Sequence, residues 1–314
     1  MKKLFALSIV LSTLSFVSVA SYAQSSRGTI TGTVQDESGA VLADADVTLL
    51  SPSTKVSTTI KTNKAGIYRF DAVLVGDYLV SAVASGFSRK EESATVNVGA
   101  LVGRDFTLAV GSASNTIEVT SDKSSQLQTE DAVRSSTISA VALAELPIGG
   151  QNSLNLIMTV PGVVRSNQNG SLDSGIGAVN GARARSNNFL IDGLQNNDIS
   201  VTGPQFTITN NDELQEVNFQ TSNFTAEYGR AGGAVVSQIT KSGTNAIHGT
   251  VAEIYRSQVL NASNNLERIN FRNGNTTVLK NKFHENIPAF TIGGPVYIPH
   301  LYDGHDKTFF FGAG

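Results

Sequence analysis

The chain has 314 residues, no cysteine, 29 glycines and a formal net charge of −3, and only 16% of its residues are charged. That length accommodates two or three domains. Sparse, slightly acidic charge excludes a nucleic-acid binder, which needs a basic patch to meet phosphates, and the lack of thiols excludes a disulfide frame or thiolate metal site.

The N-terminus reads as a targeting segment. Lys2 and Lys3 precede a mostly apolar run from Leu4 to Val19, and Ser21-Tyr22-Ala23 offers small residues at the two positions a signal peptidase reads. The run is short for a membrane span and is diluted by Ser and Thr. Residues 1–23 are therefore expected to be a signal peptide cleaved after Ala23, on an exported bacterial protein; a retained anchor is the other reading.

From Gly28 to about Val110 short strands recur between turns. Ile30, Gly32 and Val34 share one face, and Thr29, Thr31 and Thr33 the other. Asp36-Glu37-Ser38-Gly39 is a turn, and Ala45 to Leu50 a second strand. Turns at Asn63 to Gly66 and Val75 to Asp77 precede strands at Ile67 to Phe70 and Tyr78 to Ala84, with more strands at Ala94 to Val98 and Arg104 to Val110. Such spacing predicts a β-sandwich with Tyr68 and Phe70 in its core. Gly32-Thr33-Val34, Asn63-Lys64-Ala65-Gly66-Ile67-Tyr68-Arg69-Phe70, Val75-Gly76-Asp77-Tyr78 and Ala84-Ser85-Gly86-Phe87 resemble the carboxypeptidase regulatory-like domain, a transthyretin-like or immunoglobulin-like sandwich. The resemblance implies an appendage without chemistry of its own.

A Gly-Ser-Ala-Ser linker leads to Asn115-Thr116-Ile117-Glu118-Val119-Thr120-Ser121, one β-prone segment before polar residues. Such a segment can lend its backbone edge to a partner's sheet. Thr116, Ile117, Glu118, Val119 and Thr120 resemble the TonB box of outer-membrane transporters, which implies pairing with a TonB-like periplasmic energy-coupling protein. A last sandwich strand or plain linker is the alternative.

Beyond Ala132, Ser139 is placed to cap a helix over Ala140 to Glu145, ended by Leu146-Pro147. Asn152 or Ser153 could cap another over Leu154 to Thr159, ended by Pro161-Gly162. Asn167 to Gly177 and Asn196 to Asn211 read as polar loops. Asn188 to Ile191 is a strand, Asp192-Gly193 a hairpin signal, and Val217 to Thr221 another strand. Then comes a glycine-dense turn through Glu227-Tyr228-Gly229-Arg230 and Gly232-Gly233, a strand from Ala234 to Ile239, and a second turn. The first turn is expected to need close backbone approach or positive φ.

Several motifs fall in order. They are Leu146-Pro147 with Pro161-Gly162-Val163; Asn180-Gly181 with Arg183, Asn188 and Asp192-Gly193; Ala226-Glu227-Tyr228-Gly229-Arg230; and Thr240-Lys241-Ser242-Gly243-Thr244-Asn245 with His248-Gly249. Together they resemble the plug domain of TonB-dependent receptors, the large Oar-like branch in particular. The resemblance implies a small α/β plug inside a barrel lumen, with Arg183, Arg185, Asp192, Glu227 and Arg230 as candidates for ion pairs to the wall. Gly149-Gly150-Gln151-Asn152 stands where relatives usually carry Asn-Gly-Arg-Asn, so no role is carried to that position.

From His248 onward, Val251 to Arg256, Ile287 to Gly294 and Thr308 to Phe311 alternate in part. Phe290 and Ile292 face one way, and Ala289, Thr291 and Gly293 the other. That pattern fits barrel strands, with one face to lipid and one to the lumen, and Asn261 to Asn281 suits a loop between them. Gly293-Gly294-Pro295 and Phe309-Phe310-Phe311-Gly312 resemble early barrel strands of the same receptors. A plugged barrel has about 22 strands, and the residues from His248 to Gly314 supply about three or four of them. The expectation is the N-terminal part of a longer protein.

The expected architecture is mainly β: signal peptide 1–23, sandwich 24–110, linker 111–131, plug 132–247 and the start of a barrel at 248–314. The four histidines, His248, His284, His300 and His305, read as loop or strand residues, and no Ser-His-Asp set, carboxylate pair or phosphate cradle stands out. No enzyme activity, cofactor or metal is expected. The function implied is energy-coupled uptake across a Gram-negative outer membrane of a substrate too large for porins, such as a peptide, protein or glycan. The partners implied are the energy-coupling protein, lipid and an extracellular substrate, and no nucleic acid. The alternative is an exported sandwich adhesin or carbohydrate-binding protein, which would need an exposed aromatic platform. A regulatory subunit of a secreted peptidase would need a catalytic domain that residues 111–314 do not show.

Overall fold

The computed structural model describes residues 26–111, 132–146, 152–164, 177–200, 203–262, 268 and 282–314. The expected signal peptide with Ala23, the box candidate at 116–120, residues 147–151 and most of the loops expected at 167–177 and 261–281 lie outside the described residues.

Eight strands form the first unit: β1 (Gly28–Asp36), β2 (Asp46–Leu50), β3 (Ser57–Lys61), β4 (Ile67–Val73), β5 (Gly76–Val83), β6 (Lys90–Val96), β7 (Leu101–Gly103) and β8 (Phe106–Leu108). One sheet runs β4-β1-β7, with β8 also on β1, and the other β3-β2-β5-β6. Strand β1 alternates as its sequence demands: Ile30 and Val34 are fully buried, while the threonines lie on the other face. It pairs antiparallel with β4, then parallel with β7 and β8, so that Val102 lies opposite Ile30 and Phe106 opposite Val34. The step from β7 to β8 is pinned twice. The Tyr68 hydroxyl donates to the Arg104 carbonyl at 2.7 Å, and the Asp105 carboxylate accepts from the Thr33 N–H at 2.7 Å. A Cβ on Gly32 would lie 1.7 Å from the Arg104 carbonyl oxygen, so β1 can pass beneath that step only as glycine.

The core of this sandwich holds Tyr68, Phe70 and Phe106 among aliphatic residues from both sheets. Tyr68 meets Phe70 edge to face, with ring centroids 5.9 Å apart. Burying side chains of this size supplies about 1.5–3 kcal/mol each. These three aromatics are buried, so none of them can serve as the exposed platform a carbohydrate binder would need.

The middle unit begins with β9 (Arg134–Ser139) and α1 (Ala140–Glu145), the helix the sequence predicted. The Ser139 hydroxyl accepts from the Ala142 N–H at 3.4 Å. The second predicted helix is a run of 3-10 turns, Ser153–Thr159, and its cap is Asn152, whose side chain accepts from the Leu154 N–H at 3.0 Å. A short pair, β10 (Val163–Val164) and β11 (Ala178–Val179), follows. Then come β12 (Asn188–Ile191), β13 (Leu194–Gln195), β14 (Leu214–Ser222) and β15 (Val235–Thr240). They form one sheet with β9 in the order β13-β12-β15-β14-β9. Only β12 and β15 within it run parallel.

The two faces of this sheet differ in chemistry. Val217, Phe219, Val236 and Phe189 pack with Leu143, Leu154 and Ile157 into an apolar core. The residues in between, Glu216, Asn218 and Gln220 on β14, Ser237 on β15 and Asn188 on β12, alternate to the opposite face, yet all are buried. One end of that face carries a small apolar cluster of Leu190, Tyr228 and Val235.

The last unit is a three-stranded antiparallel sheet, β16 (His248–Ser257), β17 (His284–Pro295) and β20 (Phe309–Ala313), with a small hairpin, β18 (Tyr297–Ile298) and β19 (Tyr302–Asp303), between the last two. Each long strand extends beyond the alternating core visible in the sequence. The register sets Val251 opposite Phe290, Ile292 opposite both Gly249 and Gly312, and Gly294 opposite Phe310. One face therefore displays Val251, Phe290, Ile292 and Phe310 to the exterior, with Val251 91% exposed. The other buries Ala289, Thr291 and Gly293. Three strands do not close a barrel, and among the described residues no helix is long and apolar enough to cross a membrane.

Candidate functional site

The motif residues from Asn180 to Asn245 sort into turns, sheet anchors and a junction. Asn180 and Gly181 both have positive φ, 50° and 80°, and the Ala182 N–H reaches the Val179 carbonyl at 2.9 Å. This is a tight turn of the mirror-image kind that Asn-Gly favours. The Asn180 side chain also donates to the Thr221 carbonyl at 2.7 Å, tying the turn to β14. Asp192 and Gly193, φ 50° and 81°, make the β12–β13 hairpin as predicted. The Asp192 carboxylate accepts from the Thr240 N–H at 2.9 Å and its hydroxyl at 2.8 Å, locking the end of β15.

Asn188 is fully buried and accepts from Asn197 Nδ2 at 2.7 Å. Tyr228 is 2% exposed against Leu190 and Val235, so it anchors the Glu227-Tyr228-Gly229-Arg230 turn rather than meeting a ligand. Burial pushes its hydroxyl pKa up to about 12, with Glu227 adding to the shift. Arg183, Glu227 and Arg230 are exposed.

The glycine expectation is met in part, since the Gly232 and Gly233 N–H groups both reach the Ser186 carbonyl, at 2.9 and 3.1 Å. Gly229, Gly232 and Gly233 do not have positive φ. Only Gly233 is crowded, since a Cβ there would lie 2.5 Å from Asn187 Oδ1, the atom that holds the Ala234 N–H at 2.9 Å. Among the described residues Arg183, Arg185, Asp192 and Arg230 form no ion pair; Asp192 is engaged with Thr240, and the three arginines are exposed.

The junction lies at Lys241 to Asn245. The Lys241 N–H donates to the Glu213 carbonyl at 2.7 Å. Ser242 is exposed. A Cβ on Gly243 would lie 2.2 Å from the Phe310 carbonyl oxygen and 2.8 Å from that of Gly294, so glycine lets this segment cross the strand sheet. The Thr244 hydroxyl donates to the Ala246 carbonyl at 3.1 Å. Asn245 meets all three units: its Nδ2 donates to the Thr54 carbonyl and to Asp306, its Oδ1 accepts from the Asp306 N–H, and its own N–H reaches the Ser53 carbonyl. The middle unit touches the strand sheet elsewhere too, through Thr250 to Asp212 at 3.3 Å and Asn210 to the Phe290 and Gly314 carbonyls at 3.3 Å each. An open crevice of about 1040 Å³ lies beside the junction, lined in part by Arg27, Leu74, Asp77, Lys241 and Ser242.

The sequence reading passed over Glu216. It lies on the polar face of the sheet, 4% exposed, and accepts from the Val98 N–H of the sandwich at 2.8 Å. Burial pushes its pKa up to about 7, against the smaller opposing effect of that hydrogen bond. Its place on the polar alternate of β14, with Asn218 and Gln220, reads in the sequence as an ordinary solvent-facing position. Glu213 is also shifted upward, by burial first and by Asp192 second. Among the described residues no group of three His, Asp or Glu side chains could hold a metal ion. The arrangement holds units together and positions a crevice.

Residues 29–109 match the carboxypeptidase regulatory-like domain and residues 239–314 match an outer membrane beta barrel domain. The two define an outer-membrane protein carrying a regulatory-like sandwich at its N-terminal side. The particular likeness is to the TonB-dependent transporter Oar of Myxococcus xanthus, 29% identical over 93% of this chain. The chain spans 27% of that relative's length. That relative is a transporter, not an enzyme. Solved structures with some likeness include the siderophore receptor PirA of Acinetobacter baumannii, with 20% identity over 52% of this chain and 22% of that one at a TM-score of 0.38. Another is the outer membrane transporter YddB of Escherichia coli, with 17% identity over 51% of this chain and 24% of that one at 0.37.

Proposed function

We propose that this chain supplies the periplasmic sandwich, the plug and the first wall strands of an energy-coupled outer-membrane transporter. The observation that carries the reading is the two-faced sheet of β16, β17 and β20. Its outer face is apolar and exposed, as lipid requires, and its inner face is tied to the middle unit through Thr250–Asp212 and Asn210. The middle unit suits a plug. It is rich in buried Asn, Gln and Ser, which a wet lumen tolerates and a large dry core does not.

On this reading the residues at the junction, Lys241 to Asn245, face the periplasm with the sandwich. Thr116 to Thr120 is the segment that a TonB-like protein would pair with by strand addition. The cargo is a solute too large for porins, of peptide, protein or glycan character, and no bond in it is made or broken. Deleting Thr116 to Thr120 from the protein in its native cell is expected to abolish binding of the energy-coupling protein's periplasmic domain and energy-dependent uptake, with surface assembly unchanged. Undiminished binding and uptake would remove the box assignment.

A further inference from the structure

The sandwich touches the polar face of the five-stranded sheet through the turn at residues 97–99. The Val98 N–H donates to Glu216 Oε1 at 2.8 Å, and Gly99 lies close enough that a Cβ would be 3.1 Å from Gln220 Nε2. We propose that this contact is a releasable latch, which holds the sandwich on the sheet in one state of the chain and bares the sheet's polar face in another. The latch lies within the chain and does not depend on the transport reading.

The chemistry of the face argues for release. Asn218 Oδ1 and Gln220 Oε1, on the next two residues of β14 that share this face with Glu216, are buried without a protein partner, and Gln220 is the residue beside Gly99. The protein offers neither atom a hydrogen bond in the covered state, which disfavours that state relative to one open to water. The opposite face of the same strands, with Val217, Phe219 and Val236, is apolar and satisfied by packing. A face meant to stay covered is built like the second; a face that is wet part of the time is built like the first.

Glu216 makes the latch sensitive to protons. Across the sheet it faces Ser139 on β9 and Ile239 on β15, and from the sandwich it faces the Val98 amide. The charged residues along these elements are Glu213 and Lys241 just beyond the strand ends, Arg134 at the far end of β9, and on the sandwich Arg27, whose carbonyl accepts from the Gly99 N–H at 3.3 Å. None of them contributes to the shift, which burial alone drives to about 7. The sign follows. Below the ordinary carboxyl pKa of 4.5 the group is neutral in both states and docking carries no penalty. Between there and about 7 the released state gives up its proton while the docked state keeps it, so docking weakens as pH rises and levels off above about 7.

The chain has no native cysteine, so spin labels at Lys64→Cys on the sandwich and Glu145→Cys at the end of α1, both exposed, report the separation of the two units. In the full chain, one short-distance population is expected at about pH 5.5, with a longer one growing by about thirtyfold relative to it by about pH 8.5. Glu216→Gln keeps the acceptor for Val98 and removes the charge; it is expected to give the short distance at both pH values. An unchanged distribution in the unsubstituted sheet, or a Glu216→Gln chain that shifts with pH as much as the parent, would overturn the latch.

Discussion

Gly243 sits where the middle unit crosses the strand sheet, with the Phe310 and Gly294 carbonyl oxygens too near for any side chain. Gly243→Ala is expected to cost about 1–3 kcal/mol, the usual range for overpacking, read as a lowered midpoint in denaturant unfolding of the assembled protein; an unchanged midpoint would mean that the two units meet elsewhere. Its neighbours divide into residues legible in the sequence and residues that were not. Asn180-Gly181 and Asp192-Gly193 were legible because a tight turn is a local demand for positive φ, and both pairs have it. Gly229, Gly232 and Gly233 signalled a similar demand, but their backbone is ordinary and only Gly233 is sterically required. Glu216 was not legible as a contact, because its partner Val98 lies 118 residues away and nothing local marks such a pairing. Asn245 was singled out for its motif, but the sandwich carbonyls and Asp306 that it holds come from opposite ends of the chain.

Strands that bury one face announce themselves, and those that do not are missed. Strand β1 was legible from Ile30, Gly32 and Val34, and β5 from its apolar run. Strand β3, Ser-Thr-Thr-Ile-Lys, is an edge strand with no fully buried residue, and Ile60 is its one apolar residue, so there is no period to find. Strand β7 has three residues, too few to show alternation. The hinge between β7 and β8 places Phe106 opposite Val34 at zero exposure. Phe106→Ala is expected to destabilise the sandwich by about 3–5 kcal/mol, seen as early loss of its unfolding transition while the strand sheet still assembles. A loss under 1 kcal/mol, the scale of a tolerated swap, would contradict the packing described. In the middle sheet the apolar face was legible through Val217 to Thr221 and Ala234 to Ile239. Burial of the alternate polar residues was not, since it depends on what lies above them.

Three units follow one another along the chain: a sandwich with its own core, a mixed sheet with one dry and one polar face, and a three-stranded sheet with one apolar exterior. Asn245 and its neighbours are the point where all three meet, which is why the motif dense in glycine and small polar residues falls there and not in a pocket. The outer-membrane assignment makes a geometric demand on the last unit. Single cysteines can be placed along β16 and β17 in a chain that has none, and the protein probed in intact outer membranes with a lipid-partitioning and a charged thiol reagent. Val251→Cys and Phe290→Cys are expected to react with the lipid-partitioning reagent and resist the charged one, while Thr250→Cys and Thr291→Cys, on the face toward the middle unit, resist the lipid-partitioning reagent. Free reaction of Val251→Cys and Phe290→Cys with the charged reagent would place that apolar face in water and contradict the transporter reading.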